Sequence, residues 1–155
     1  MDRVARLVAH LEPVSTLKNT THVVSEAAKQ VRVTKVYTRE DGESALGHFE
    51  VDMKDGGPIG SLSTTMPATG VIFRETPSTY DFDWHVAPRR QFIINLDAPV
   101  KVTTSTGQER IFAAGEVFFV EDVTGKGHKS VAIGGQTRRS VFIPVPDSFD
   151  SNTTN

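Results

Sequence analysis

The chain of 155 residues contains no cysteine. Disulfide frameworks, cysteine nucleophiles and thiolate metal sites are therefore excluded, and a metal would need His, carboxylate or amide ligands. Basic charge is not in excess either: 17 Lys and Arg against 19 Asp and Glu leave a net charge of -2. A nucleic-acid binder needs the opposite balance. No stretch approaches the roughly 18 apolar residues of a membrane span. A secretory signal is not read at the N-terminus, because Arg6 and His10 interrupt the apolar residues and no small-residue cleavage site follows. The expectation is a cytoplasmic protein with no nucleic-acid or membrane partner.

What is abundant favours strand. There are 19 Val, 17 Thr and nine Phe, residues that suit a pleated, half-buried surface. Val4, Leu7, Val8 and Leu11 recur at helical spacing until Pro13, so residues 1–30 read as a short helix and a loop. From residue 31 the period changes. Val31–Tyr37 and Leu46–Met53 flank an Asp41-Gly42 turn, and Val71–Thr76 is a further strand. Pro77–Asp83 reads as a loop and Gln91–Leu96 as a strand. Lys101–Ser105 with Glu109–Phe112 reads as a hairpin, Glu116–Glu121 as an apolar strand, and His128–Ile133 with Arg139–Val145 as a last hairpin. Residues 146–155 are mostly Asp, Ser, Asn and Thr and are expected to be a disordered tail. Short strands at regular spacing, with no alternating long helices, predict one all-β sandwich or small barrel over residues 31–145.

Two segments carry more information. HVAPRRQFIINLDA (85–98) and GEVFFVEDVTGKGH (115–128) together resemble the two sequence motifs of the cupins. The first motif runs His, any residue, His, three or four residues, Glu, six residues, Gly. Its positions here hold His85, Ala87, Gln91 and Ala98. The second begins at Gly115 and ends at His128, with Gly125-Lys126-Gly127 in place of the usual turn. The resemblance implies a cupin-like double-stranded β-helix, a jelly-roll barrel, with the short helix in front. It also implies a small-molecule pocket and pairing of copies into a homodimer. In the family two His and a Glu of the first motif and one His of the second hold a metal. Here the second His is Ala87 and the Glu is Gln91, and an amide is a poorer ligand than a carboxylate.

The candidate site therefore consists of His85, Gln91 and His128, as catalytic groups or as ligands of a single divalent metal (Fe, Zn, Ni or Mn). Strand parity puts residues 91, 93 and 95 on one face, so Gln91 and Asn95 would point inward with Phe92, Ile94 and Leu96 outside. Arg74 or Arg90 would hold an anionic group; Trp84, Asn95 and Phe142 would complete the substrate site. Which of Arg74 and Glu75 faces inward stays open, and Arg138-Arg139 reads as surface. The chemistry expected is non-redox acid–base work of isomerase, cyclase, dehydratase or decarboxylase type, of the kind cupins perform in secondary metabolism. One alternative is an iron dioxygenase with a carboxylate from Glu75 or Glu121. Another is a non-catalytic small-ligand binder.

Overall fold

The structure, a computed structural model, describes residues 29–152. The expected N-terminal helix, with His10, and His22 in the loop expected after it lie outside the described residues. Those residues form twelve strands and one short 3-10 turn. A hairpin of β1 (Gln30–Thr38) and β2 (Ser44–Asp52) is followed by a two-residue pair, β3 (Lys54–Asp55) and β4 (Ser61–Leu62). Then come β5 (Ile72–Thr76), β6 (Asp81–His85), β7 (Gln91–Asn95), β8 (Val100–Thr104), β9 (Glu109–Phe112), β10 (Val117–Val120), β11 (His128–Ala132) and β12 (Arg138–Pro144).

The last eight strands divide between two sheets, ordered β5-β12-β7-β10 and β6-β11-β8-β9, alternating except at the β8–β9 hairpin. That order is a jelly roll, the expected double-stranded β-helix of cupin type. β1 extends the first sheet by pairing parallel to β10, and β2 forms its edge. No helix among the described residues is long and apolar enough to cross a membrane.

Apolar residues on both faces of the larger sheet explain why β10 reads as continuous hydrophobic sequence. Phe118 and Val120 face the space between the sheets, together with Val36, Ile93, Val102 and Phe112. Phe119 points the other way, into a second cluster with Val33, Phe49, Val51, Val145 and Phe149. This second cluster corrects the expected tail. Residues 146–152 are packed: Phe149 meets Phe49, Phe92 and Phe119 edge-on or tilted at centroid distances of 5.4–6.5 Å. Buried Lys35 bonds Ser151 at 2.8 Å and Glu121 at 2.9 Å. A polar-looking tail is held by one aromatic anchor and one ion cluster, neither visible as a pattern in its composition.

Two further expectations change. β11 and β12 are not a hairpin: they belong to different sheets, and Gly134-Gly135, at φ 78° and 64°, carries the chain across. Asp81–Asp83, read as loop, is strand. β6 is an edge, where the exposed aspartates remain solvated within a ladder.

Candidate active site

The two sheets enclose a cavity of about 750 Å³. Its inner wall is aliphatic and aromatic, from Ile93, Val100, Val102, Phe118, Val120 and Phe142. Polar groups enter from Arg74, Tyr80, His85, Arg89, Gln91, His128, Ser130 and Arg138. A few polar groups converging on an apolar hollow are the usual form of a small-molecule site.

His85 and His128 occupy opposed positions on antiparallel β6 and β11, with ring centroids 4.4 Å apart. Each ring is fixed through Nδ1. His85 Nδ1 lies 2.7 Å from the Asp83 carbonyl oxygen. A carbonyl only accepts, so this Nδ1 carries the hydrogen and neutral His85 has an unprotonated Nε2. His128 Nδ1 lies 2.6 Å from Oδ2 of Asp122, which is fully buried. Such a carboxylate fixes the ring tautomer and balances an imidazolium. Burial, foremost, and the charges of His128 and Arg74 hold the His85 pKa below the ordinary imidazole value; the Asp83 carbonyl and the Asp122 carboxylate oppose this without reversing it. The two rings thus differ in surroundings: His85 rests on a main-chain carbonyl and His128 on a buried carboxylate.

The loop before β11 sets this geometry. Gly125 and Gly127 have positive φ, and the Gly127 backbone lies so close to His85 that a Cβ there would meet the His85 carbonyl oxygen at 2.1 Å. Ser44 Oγ donates to the Gly127 carbonyl at 2.6 Å, Lys126 N to the Gly42 carbonyl at 3.0 Å, and the Lys126 ammonium pairs with Glu43. Gly125-Lys126-Gly127 is thus a clamp between the β1–β2 turn and β6.

Parity holds on β7. Gln91, Ile93 and Asn95 are buried on the inner side, and Phe92 packs in the outer cluster. Gln91 lines the cavity; Asn95 does not, and its Nδ2 donates to the Phe112 carbonyl at 2.9 Å below the cavity floor. Ala87 also lines the cavity, so a methyl group stands where the family motif carries an imidazole. Arg74, not Glu75, faces inward, and Phe142 lines the wall.

Two further expected substrate contacts, besides Asn95, lie elsewhere. Arg90 turns outward to Glu121 at 2.7 Å and to the Asp147 carbonyl at 3.0 Å, because Arg89 and Arg90, as neighbours in sequence, point to opposite sides. Trp84 is 46% exposed beneath the Lys129 ammonium, outside the cavity lining. His48 is exposed on the edge strand β2 and does not line the cavity.

Sequence reasoning missed Asp122, Arg138, Tyr80 and Phe82. Arg138, read as surface, is 5% exposed and lines the cavity. Counting by twos from Phe142 through Ser140 reaches it, so the signal was present. Phe82 was hidden by a register irregularity: from Ser130 to His128 is two residues, but the partners Phe82 and His85 are three apart. The extra residue on β6 turns both Phe82 and His85 inward, their rings 4.2 Å apart.

A metal is implied by the family motif, and the donor set does not fit one. Among the described residues no group of three His, Asp or Glu side chains could hold an ion. Asp122 is committed to His128. Glu121 is bound by Lys35, Arg90 and Ser151; burial would raise its pKa, but these partners outweigh it and hold it below the ordinary carboxylate value. Glu75 sits opposite Arg139 on the other face of β5 from Arg74. Two imidazoles and an amide remain, in a cavity that also takes in the guanidinium groups of Arg74 and Arg138.

No protein-family model matches this sequence, and no curated protein matches it. Solved structures do. KdgF from Halomonas sp. shares 17% identity, with 72% of this chain and 96% of that one covered and a TM-score of 0.39. Protein NMB1881 from Neisseria meningitidis shares 17% identity over 50% of this chain and 75% of its own, at a TM-score of 0.40. The SPY1581 protein of unknown function from Streptococcus pyogenes shares 12% identity over 56% and 72%, also at 0.40. At this distance the strand order of the chain itself defines its fold.

Proposed function

We propose that this protein is a small-molecule enzyme of lyase or isomerase type that moves a proton within its barrel. The carrying observation is the opposed pair, His85 facing an Asp122-backed His128. Neutral His85 takes a proton at Nε2, and His128, held through Nδ1 by Asp122, presents its own Nε2 to return one. Gln91, buried at 4% exposure in the same wall, is placed to donate a hydrogen bond to a carbonyl or enolate oxygen. The apolar wall keeps water from competing and strengthens these charges.

The test needs no named substrate. The protein is incubated in deuterium oxide with a panel of ketones, esters, lactones and enoyl compounds, and exchange at carbon is followed by NMR. Expected is catalysed exchange or conversion of at least one structural class, lost in His85→Asn and in His128→Asn. Turnover that persists at the wild-type rate in both variants, or no exchange across the panel, overturns the reading.

A further inference from the structure

The acid–base reading leaves one buried group without employment. Arg138 is 5% exposed, and its Nε and Nη1 atoms have no hydrogen-bond partner. No carboxylate pairs with it among the described residues. Its guanidinium lies 5.7 Å from the Tyr80 ring centroid. Arg74 lies 5.3 Å from the same ring and 5.5 Å from that of Phe142. Two cations thus flank one aromatic ring at the cavity wall. An arginine stays charged in a protein, so the cost of burying Arg138 falls on stability.

The surroundings repeat the pattern. Across the β5–β12 pair Arg138 stands opposite Thr76, and Ser140 opposite Arg74. Directly opposed residues share a face of the sheet. The hydroxyls of Thr76 and Ser140 are also buried without partners. Neither hydroxyl lines the cavity, but the unpaired Arg138 guanidinium does, and it marks a place where a ligand completes the bonding.

We propose that this end of the cavity is the anchor for a substrate carboxylate, and that the substrate is an organic acid with an apolar body. This rests on the acid–base reading only for the word substrate; the anion site stands on its own geometry. A guanidinium suits the planar carboxylate, and the aliphatic wall suits the rest of the molecule. A phosphate monoester is the competing occupant. It is disfavoured because the strand backbone around Arg138 is engaged in ladders with β5 and β7 and offers no nest of N–H groups.

The probes are cinnamate and octanoate, their primary amides, and phenyl phosphate, titrated calorimetrically into the whole protein. Expected is binding of an acid roughly tenfold or more tighter than its amide. That preference disappears in Arg138→Met, is weakened in Arg74→Gln, and survives in His128→Asn. Arg138→Met is further expected to raise the melting temperature of the ligand-free protein, since it removes an uncompensated buried charge. A purely structural arginine would lower it. Equal binding of acid and amide, an acid preference unchanged in Arg138→Met, tighter binding of phenyl phosphate, or no binding of either acid at millimolar concentration overturns the proposal. An acid preference without any proton exchange sinks the acid–base reading alone. Exchange without acid preference sinks this one alone.

Discussion

His85 and His128 face each other directly across the β6–β11 pair, their rings 4.4 Å apart and each tied through Nδ1 to a different oxygen. The two imidazoles are alike in sequence and unlike in surroundings. One rests on a main-chain carbonyl that cannot balance a positive charge. The other rests on a buried carboxylate that can. Environment, not residue type, divides the roles.

This division predicts the titration of His85. Burial and the charges of His128 and Arg74 lower its pKa, so the ring resonances of His85 should titrate below the ordinary value of 6.5 in NMR. Arg74→Gln removes one of the lowering charges and should move the titration upward. A depressed folded-state pKa contributes stability above the unfolded imidazole value that is lost as pH falls through the folded value. Wild type should therefore lose stability on acidification below pH 6.5 to a greater degree than His85→Asn. A titration at or above 6.5 would remove the basis for calling His85 the neutral partner.

Asp122→Asn tests the other half. Asn keeps the shape but cannot balance an imidazolium, and its amide can present a hydrogen where His128 Nδ1 needs an acceptor. Catalysed proton exchange should fall roughly 100-fold or more, within the usual contribution of a general acid or base. Unchanged exchange would assign Asp122 to structure alone.

The barrel was readable from sequence because its determinants are local: alternation, turn glycines and apolar runs at short spacing. His85, Gln91 and His128 were readable because the two motifs fix their positions, and inward-facing Gln91 followed from parity. Arg90 and Trp84 were misplaced because a charged pair or a lone Trp carries no facing information without the strand register. Asp122 was invisible as a partner because a loop of five intervening residues, with two positive-φ glycines, brings it onto His128. Phe82 depended on a β6 irregularity that no periodicity announces.

The missing third ligand gives a prediction about metal. Protein purified without added metal, then exposed to Fe, Zn, Ni or Mn and desalted, should retain well under one equivalent by elemental analysis. The reason is the neutral Gln91 amide and the two guanidinium groups in the same cavity. Gln91→Glu would restore an anionic donor to the motif position and should increase retention. Stoichiometric metal in wild type, lost on His128→Ala, would return the dioxygenase alternative.

The C-terminal segment should be a fastener of the sandwich. Phe149 is 7% exposed amid Phe49, Phe92 and Phe119. Phe149→Ala should cost about 3–5 kcal/mol, the usual range for a buried Phe, and lower the melting temperature by roughly 10 °C. Glu121→Gln should destabilise comparably, about 3 kcal/mol, because Lys35 and Arg90 would then be buried without their anion. Its lowered pKa adds stability above the unfolded carboxylate value that is lost as pH falls through the folded one, so the wild-type advantage should shrink in acid. A tail that is merely draped on the surface would leave Phe149→Ala near wild type.

Gly127 links the fold to the chemistry. Its φ of 69° disfavours any side chain, and a Cβ would meet the His85 carbonyl oxygen at 2.1 Å and the Val86 nitrogen at 2.7 Å. Both obstacles are backbone, so Gly127→Ala can be accommodated only by moving β6 away from the start of β11. That movement separates His85 from His128 while leaving the apolar wall and Arg138 in place. The variant should therefore lose proton exchange out of proportion to its loss of melting temperature, and it should still bind carboxylates. Gly134→Ala is the control. Its φ of 78° carries a similar conformational cost, but nothing lies within 4 Å of its Cβ position. It should be destabilised by about 1 kcal/mol, on the order of the penalty for a left-handed residue, with the exchange rate unchanged. Equal loss of exchange in the two variants would show that backbone strain, and not the approach of Gly127 to His85, governs the histidine pair.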